Sequence, residues 1–205
     1  MTKKIAIIGT HGTGKSTLVY DLCGELKRER YHVKPFNEYA AECPFEINGI
    51  DFRAQKFIVA TQYLAELVAQ YEKGKRKNPD FYVFDRSILD GYVYSLDMIK
   101  KGRAKQFIDW MSPMVTDNMP SYDFLFRTQI YNGGLVEDGT RSIDPVWQKE
   151  IDALFDRVLK RKRIKYYTLP LDVSLEKELS KEDIRALHRK QVEFMVERIN
   201  KQCKK

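Results

Sequence analysis

The stretch Gly9-Thr10-His11-Gly12-Thr13-Gly14-Lys15-Ser16 follows directly on the isoleucine-rich residues 4–8. Its spacing, G-x-x-x-x-G-K-[ST], is that of the P-loop, in which a tight turn aims successive backbone N–H groups at a phosphate. The positive end of the helix that follows adds to this attraction. The stretch therefore predicts a strand, a phosphate-binding loop and a helix in succession.

We expect this loop to bind the phosphates of ATP. Lys15 would reach the β- and γ-phosphates, and the Ser16 hydroxyl would ligate a Mg²⁺ ion that bridges them. Thr17 is a further donor on the side of the α-phosphate, whereas His11 is interpreted as a spacer in the loop and not as a base. The predicted nucleotide-binding residues are Gly9, Thr10, His11, Gly12, Thr13, Gly14, Lys15, Ser16 and Thr17.

Short apolar runs alternate with longer amphipathic segments along the rest of the chain. Strands are predicted at residues 4–8, 32–37, 81–84, 123–126 and 165–169, and helices at 15–30, 51–73, 87–101, 104–118, 145–162 and 180–202. This alternation predicts an α/β fold of the P-loop NTPase type, with a parallel five-stranded sheet, helices on both faces and right-handed crossovers. Residues 128–145 are rich in Gly, Asn and Asp, and we expect them to form a small lid within one domain of residues 1–205.

Polar residues follow two of the predicted strands, at the edge where ligands bind in open α/β sheets. Asp85, after the third strand, could hold Mg²⁺ through its water shell, and Arg86 could bind a phosphate or carboxylate. The alternative for Asp85 is a cap of the next helix. Glu38, after the second strand, is a candidate base for an acceptor hydroxyl or else a solvated loop residue. Asp90 could face the acceptor or lie on the helix surface.

An arginine is also expected to close over the transferring phosphoryl group, because charge develops on its oxygens during transfer. Arg141 lies in the charged turn of residues 137–144 within the predicted lid and is our choice for this role. Arg127, at the exit of the fourth strand, is the competing candidate. A surface turn without a catalytic role is the further alternative for residues 137–144.

The composition excludes several other classes of protein. No apolar stretch approaches the ~18 residues that a membrane span requires, and the short apolar run at residues 5–8 lacks the features of a signal peptide, so we expect a cytoplasmic location without membrane contact. The three cysteines are scattered and predict neither disulfides nor a zinc site. The net charge of +7 permits contact with DNA, although solvated helix faces explain it equally well.

With these motifs the chain resembles the small P-loop nucleoside and nucleotide kinases, particularly the group that contains ribosylnicotinamide kinase domains. The resemblance implies Glu38 as base, Asp85 with Arg86 for magnesium and phosphate, and Arg141 as lid arginine. Bacteriophage kinases that phosphorylate hydroxymethylated pyrimidines within DNA are similar in size and loop layout. The hypothesis is therefore an ATP- and Mg²⁺-dependent kinase acting on a nucleoside-type acceptor, either a small molecule or DNA. The alternative is a P-loop ATPase, switch or regulatory nucleotide-binding module without an acceptor.

Overall fold

The secondary structure was obtained from a computed structural model, which describes residues 2–40, 42–45, 52–71, 78–100, 105–135, 143–173 and 177–203. The strands are β1 Lys3–Ile8, β2 Val33–Phe36, β3 Phe81–Asp85, β4 Phe124–Arg127 and β5 Tyr167–Thr168. The helices are α1 Lys15–Arg28, α2 Phe52–Tyr71, α3 Ile88–Lys100, α4 Lys105–Asn118, α5 Pro145–Lys162 and α6 Lys181–Cys203, with a 3-10 turn at Met119–Ser121. Every predicted strand and helix is present, with shifted ends.

The sheet has the strand order β2-β3-β1-β4-β5, and every pair of neighbouring strands is parallel. The predicted five-stranded parallel α/β fold is therefore confirmed. Because β1 is the central strand, the P-loop that follows it lies between the ends of β3 and β4. In the register, Ile7 pairs with Asp85 and Ile8 with Arg127.

β5 is shorter than its prediction of residues 165–169. Only Tyr167 and Thr168 pair with β4, although the next residue, Leu169, still donates its N–H to the Arg127 carbonyl at 2.9 Å. Pro170 follows and has no N–H with which to extend the ladder. The strand therefore ends where the following residue, Pro170, cannot donate a backbone hydrogen bond to β4.

Helices cover both faces of the sheet, as predicted. Side chains alternate along a strand, so Ile5 and Ile7 of β1 pack on one face with α1 and α6, while Ala6 and Ile8 pack on the other with α2 to α5. Burial on both sides explains the continuous apolar runs in the central strands. Among the described helices, none combines the length and the apolar character needed to cross a membrane.

A buried charge pair lies below the carboxyl edge and fixes the start of α3. Lys4 Nζ lies 3.7 Å from Glu66 Oε2, and both side chains are almost fully buried. Burial raises the pKa of Glu66, whereas the lysine opposes that shift. Glu66 Oε1 accepts the Ile88 N–H at 2.7 Å, which holds the first residue of α3 in place.

Candidate active site

The P-loop is held open by glycines in left-handed conformations and by side-chain hydrogen bonds. Gly9 has φ 144° and Gly14 has φ 74°, conformations that side-chain-bearing residues rarely adopt. A Cβ at Gly9 would also lie 2.3 Å from Thr128 Oγ1, and one at Gly14 would lie 2.4 Å from His188 Nε2. Thr13 Oγ1 donates to the Thr10 carbonyl at 2.9 Å across the turn. Both fixed glycines of the motif are therefore required by conformation and by space.

Lys15 is buried and folded back onto its own loop. Its Nζ donates to the Thr10 carbonyl and lies 3.4 Å from Thr13 Oγ1. Burial, reinforced by nearby Arg86, lowers the pKa of Lys15 to about 7, although three neighbouring carboxylates oppose these effects. The lysine thus lies at the loop with little solvation to lose when it binds a phosphate.

Asp85 and Ser16, the two predicted magnesium ligands, lie near each other. Asp85 Oδ1 is buried with no hydrogen-bond partner in the described part of the chain. Burial, reinforced by Glu38, raises the pKa of Asp85, whereas the Ser16 hydroxyl acts to lower it. The cap of α3 is Ser87, whose Oγ accepts the Leu89 N–H at 3.2 Å. Asp85 is therefore directed at the loop, and a different residue caps the helix.

This pair of oxygen ligands fits Mg²⁺. Magnesium is commonly held by one or two carboxylates while water and substrate phosphates complete its octahedron. No group of three or more His, Cys, Asp or Glu side chains that could hold a metal occurs in the described ranges. Magnesium at Ser16 and Asp85 would need no such group, because ATP would supply the other oxygens.

Arg86 and Glu38 form an ion pair beside the loop. Arg86 Nε donates to Glu38 Oε1 at 2.6 Å, and only 12% and 11% of the two side chains are exposed. Arg86 Nη1 also reaches the Gly9 carbonyl at 3.3 Å. The backbone of Arg86 has φ 75°, an uncommon conformation for a residue with a side chain, and its N–H donates to the Ile7 carbonyl. The turn after β3 thereby directs this guanidinium across the sheet edge toward the end of β2.

Asp90 connects this turn to the P-loop. Its Oδ1 accepts the Gly9 N–H at 3.1 Å and its Oδ2 accepts the Ser87 N–H at 2.9 Å, while Arg86 Nη1 lies 3.7 Å away. Only 1% of Asp90 is exposed, so its interpretation as a helix-surface carboxylate is wrong. Burial raises the pKa of Asp90, and Arg86 opposes this shift. The carboxylate braces the loop against α3 and also lines the cavity described below.

His11 makes more contacts than a spacer would require. Its ring lies 4.8 Å from that of Trp147, and its backbone N–H donates to Tyr94 Oη at 3.0 Å. Gln148 Nε2 donates to the His11 carbonyl at 2.7 Å, which joins α5 to the loop. Sequence reasoning missed Tyr94 and Trp147. Tyr94 could have been found because it lies four residues after Asp90, on the same face of α3.

The two candidate lid arginines differ in what the structure describes. Arg141 lies at residues 136–142, outside the described residues, so its role remains a prediction. Arg127 is buried; its Nη2 lies 2.5 Å from Asp152 Oδ1, and its guanidinium lies 4.7 Å from the centre of the Phe155 ring. These contacts tie β4 to α5, which gives Arg127 a structural role.

A small cavity lies beside the ion pair. Its lining includes Glu38, Arg86 and Asp90, together with Ile58, Val59 and Gln62 of α2. Its volume of about 20 Å³ is room for roughly one water molecule. A nucleoside would therefore have to widen it by moving α2 or side chains.

The central loop, the parallel sheet and the polar residues at its edge define a P-loop nucleotide-binding fold. A family profile described as an AAA domain matches residues 4–177, and the chain belongs to that family. A search of curated protein sequences finds no match.

Two solved structures have a similar fold. Deoxyadenosine kinase from M. mycoides, with dCMP and a flexible dCDP bound, is similar at a TM-score of 0.61 and 16% identity, over 97% of this chain and 99% of that one. NadR protein in complex with NR is similar at a TM-score of 0.63 and 18% identity, over 93% of this chain. The match spans about half of NadR, 52% of its chain. The likeness confirms, at the level of the fold, the resemblance to P-loop nucleoside kinases.

Proposed function

We propose that this chain is an ATP-dependent kinase that transfers the γ-phosphoryl group to a hydroxyl of a nucleoside-type acceptor. The observation that carries the proposal is the Glu38–Arg86 ion pair, which lies on the same sheet edge as Lys15, Ser16 and Asp85. An ATPase or a switch needs the donor half of such a site. A kinase needs in addition a site for a second substrate, and the buried carboxylate and guanidinium beside the cavity are suited to that purpose.

In the donor half, the loop N–H groups and the N-terminus of α1 would hold the phosphates. Lys15 would exchange the Thr10 carbonyl for the β- and γ-phosphates. Mg²⁺, held by Ser16 and Asp85, would neutralise charge on the phosphate oxygens. Arg141 would complete this charge neutralisation from the lid.

In the acceptor half, Glu38 would orient the hydroxyl and take its proton as the oxygen attacks the γ-phosphorus. The bond between the γ-phosphorus and the bridging oxygen breaks, and ADP leaves with that oxygen. Arg86 holds Glu38 in position and lies close enough to the loop to stabilise the transferring group. Relatives of this fold support a nucleoside-type acceptor, because deoxyadenosine kinase carries dCMP and NadR carries NR.

A labelling experiment tests the proposal. ATP labelled at the γ-position is incubated with the protein, Mg²⁺ and separate pools of nucleosides, nucleotides and hydroxymethylated DNA, and in water alone. We expect the label in the nucleoside pool, and its loss when EDTA removes the metal. Label in DNA would instead assign the acceptor to a base within a polymer. Label recovered only as free phosphate would overturn the kinase proposal in favour of an ATPase.

ATP binding is expected to take up a proton above pH 7. The pKa of Lys15 is lowered to about 7 by burial, and phosphates beside the ammonium would raise it again. Below that pH the lysine is protonated with or without ATP, so uptake approaches zero. Above pH 7, proton uptake on binding approaches one, and the affinity for ATP falls by up to about tenfold per pH unit. Calorimetry in two buffers of different ionisation enthalpy counts the protons, and equal uptake by Lys15→Met would contradict the assignment.

A further inference from the structure

Tyr94 contacts both the P-loop and Arg86. Tyr94 Oη accepts the His11 backbone N–H at 3.0 Å and lies 3.0 Å from His11 Nδ1. The Arg86 guanidinium lies 5.5 Å from the centre of the Tyr94 ring. Tyr94 therefore holds a loop amide with its oxygen and faces a cationic side chain with its ring.

The chemistry of this contact is that of a phosphate oxygen. A phenol oxygen has two lone pairs and one proton, so it can accept from the amide while donating to the imidazole. Backbone N–H groups and guanidinium groups are also the donors that proteins use for phosphoryl oxygens. Tyr94 Oη thus occupies the place of an acceptor atom on a loop amide, and Arg86 lies beside it.

The position of Lys15 identifies which phosphate would come here. Its Nζ donates to the carbonyl of Thr10, the residue that precedes His11. A P-loop lysine reaches the β- and γ-phosphates, whereas the start of the helix holds the phosphates nearer the ribose. The end of the loop that contains His11 is therefore the end that the γ-phosphate would approach.

We propose that Tyr94 is a positioning residue that stands in for a γ-phosphate oxygen. Before ATP binds, its hydroxyl holds the His11 amide, and this donor passes to the γ-phosphate on binding. ATP therefore has to displace the hydroxyl, whereas ADP, which lacks the γ-phosphate, does not. The inference rests on the proposed function in that ATP occupies the loop.

Substitution Tyr94→Phe tests this by removing the oxygen and keeping the ring. We expect the Kd for ATP to fall by roughly tenfold, the order of one neutral hydrogen bond, while the Kd for ADP stays within about twofold. Calorimetric titration measures both constants. Tyr92→Phe is the matched control, because Tyr92 lies on the same helix and its hydroxyl contacts Arg161, away from the loop.

The ratio of the two constants separates this role from a merely structural one. Loss of packing would change ATP and ADP binding alike, and an equal change, no change or weaker ATP binding would overturn the inference. Thermal unfolding of the variant confirms that it is folded. Failure of the wild-type protein to bind either nucleotide would instead overturn the proposed function itself.

Discussion

Replacing Lys15 by methionine is expected to lower kcat/KM for phosphoryl transfer by roughly 10³-fold, the scale of losing one preorganised charged donor. The ammonium is buried at the loop and bonded to the Thr10 carbonyl, so a phosphate can take it over without extensive desolvation. Methionine keeps most of the length of the side chain and removes the charge. Steady-state kinetics with labelled ATP measure the loss. The matched control is Lys27→Met, an exposed position on the same helix, which should retain wild-type activity.

The same substitution should leave the fold intact and change how stability depends on pH. The pKa of Lys15 is about 7 in the folded chain against an ordinary 10.5, so the unfolded chain binds more protons between these values. The contribution of Lys15 to stability therefore rises with pH from about 7 to 10.5 and is least favourable below 7. Thermal unfolding should show that Lys15→Met has lost this dependence. Activity near the wild-type level would contradict the assignment of the P-loop.

The fold and the P-loop could be predicted because their signals are local. The glycines, Lys15 and Ser16 fix the loop within eight residues, and apolar runs mark the strands. Glu38 and Asp85 are predicted to lie at one edge because parallel strands bring their carboxyl ends together. The observed order puts β3 beside both β1 and β2, which unites the two carboxylates with the loop.

The contacts that brace the site could not be predicted, because they depend on packing between distant elements. The sequence left Asp90 with two interpretations, and only the packing of α3 against the loop shows that its carboxylate accepts the Gly9 N–H. From the sequence, Arg127 at the exit of the fourth strand is a candidate for the same role as the lid arginine Arg141. The partner of Arg127, Asp152, lies 25 residues further on in α5, and the local sequence does not predict that ion pair.

Glu38→Gln is expected to lower kcat by about 10²–10⁴-fold, the range for loss of a general base, while the Kd for ATP stays nearly unchanged. Glutamine has nearly the same size but cannot take the proton of the acceptor hydroxyl. The matched control is Glu42→Gln, an exposed residue in the same loop, which should leave kcat unaffected. Nucleotide calorimetry and steady-state kinetics on both variants separate binding from transfer.

The ion pair with Arg86 complicates this result, because Glu38→Gln also removes the partner of a largely buried guanidinium. Asp90 lies 3.7 Å from Arg86 and still opposes its charge, so we expect the guanidinium to remain near the loop. Testing Glu38→Gln in an Arg86→Lys variant as well as in the wild-type protein distinguishes the two roles. If Glu38 only holds Arg86, then Glu38→Gln should cost nothing further once Arg86→Lys has weakened the pair. If Glu38 takes the proton itself, the double variant should lose at least another tenfold in kcat, and its failure to do so would demote Glu38 to a positioning residue.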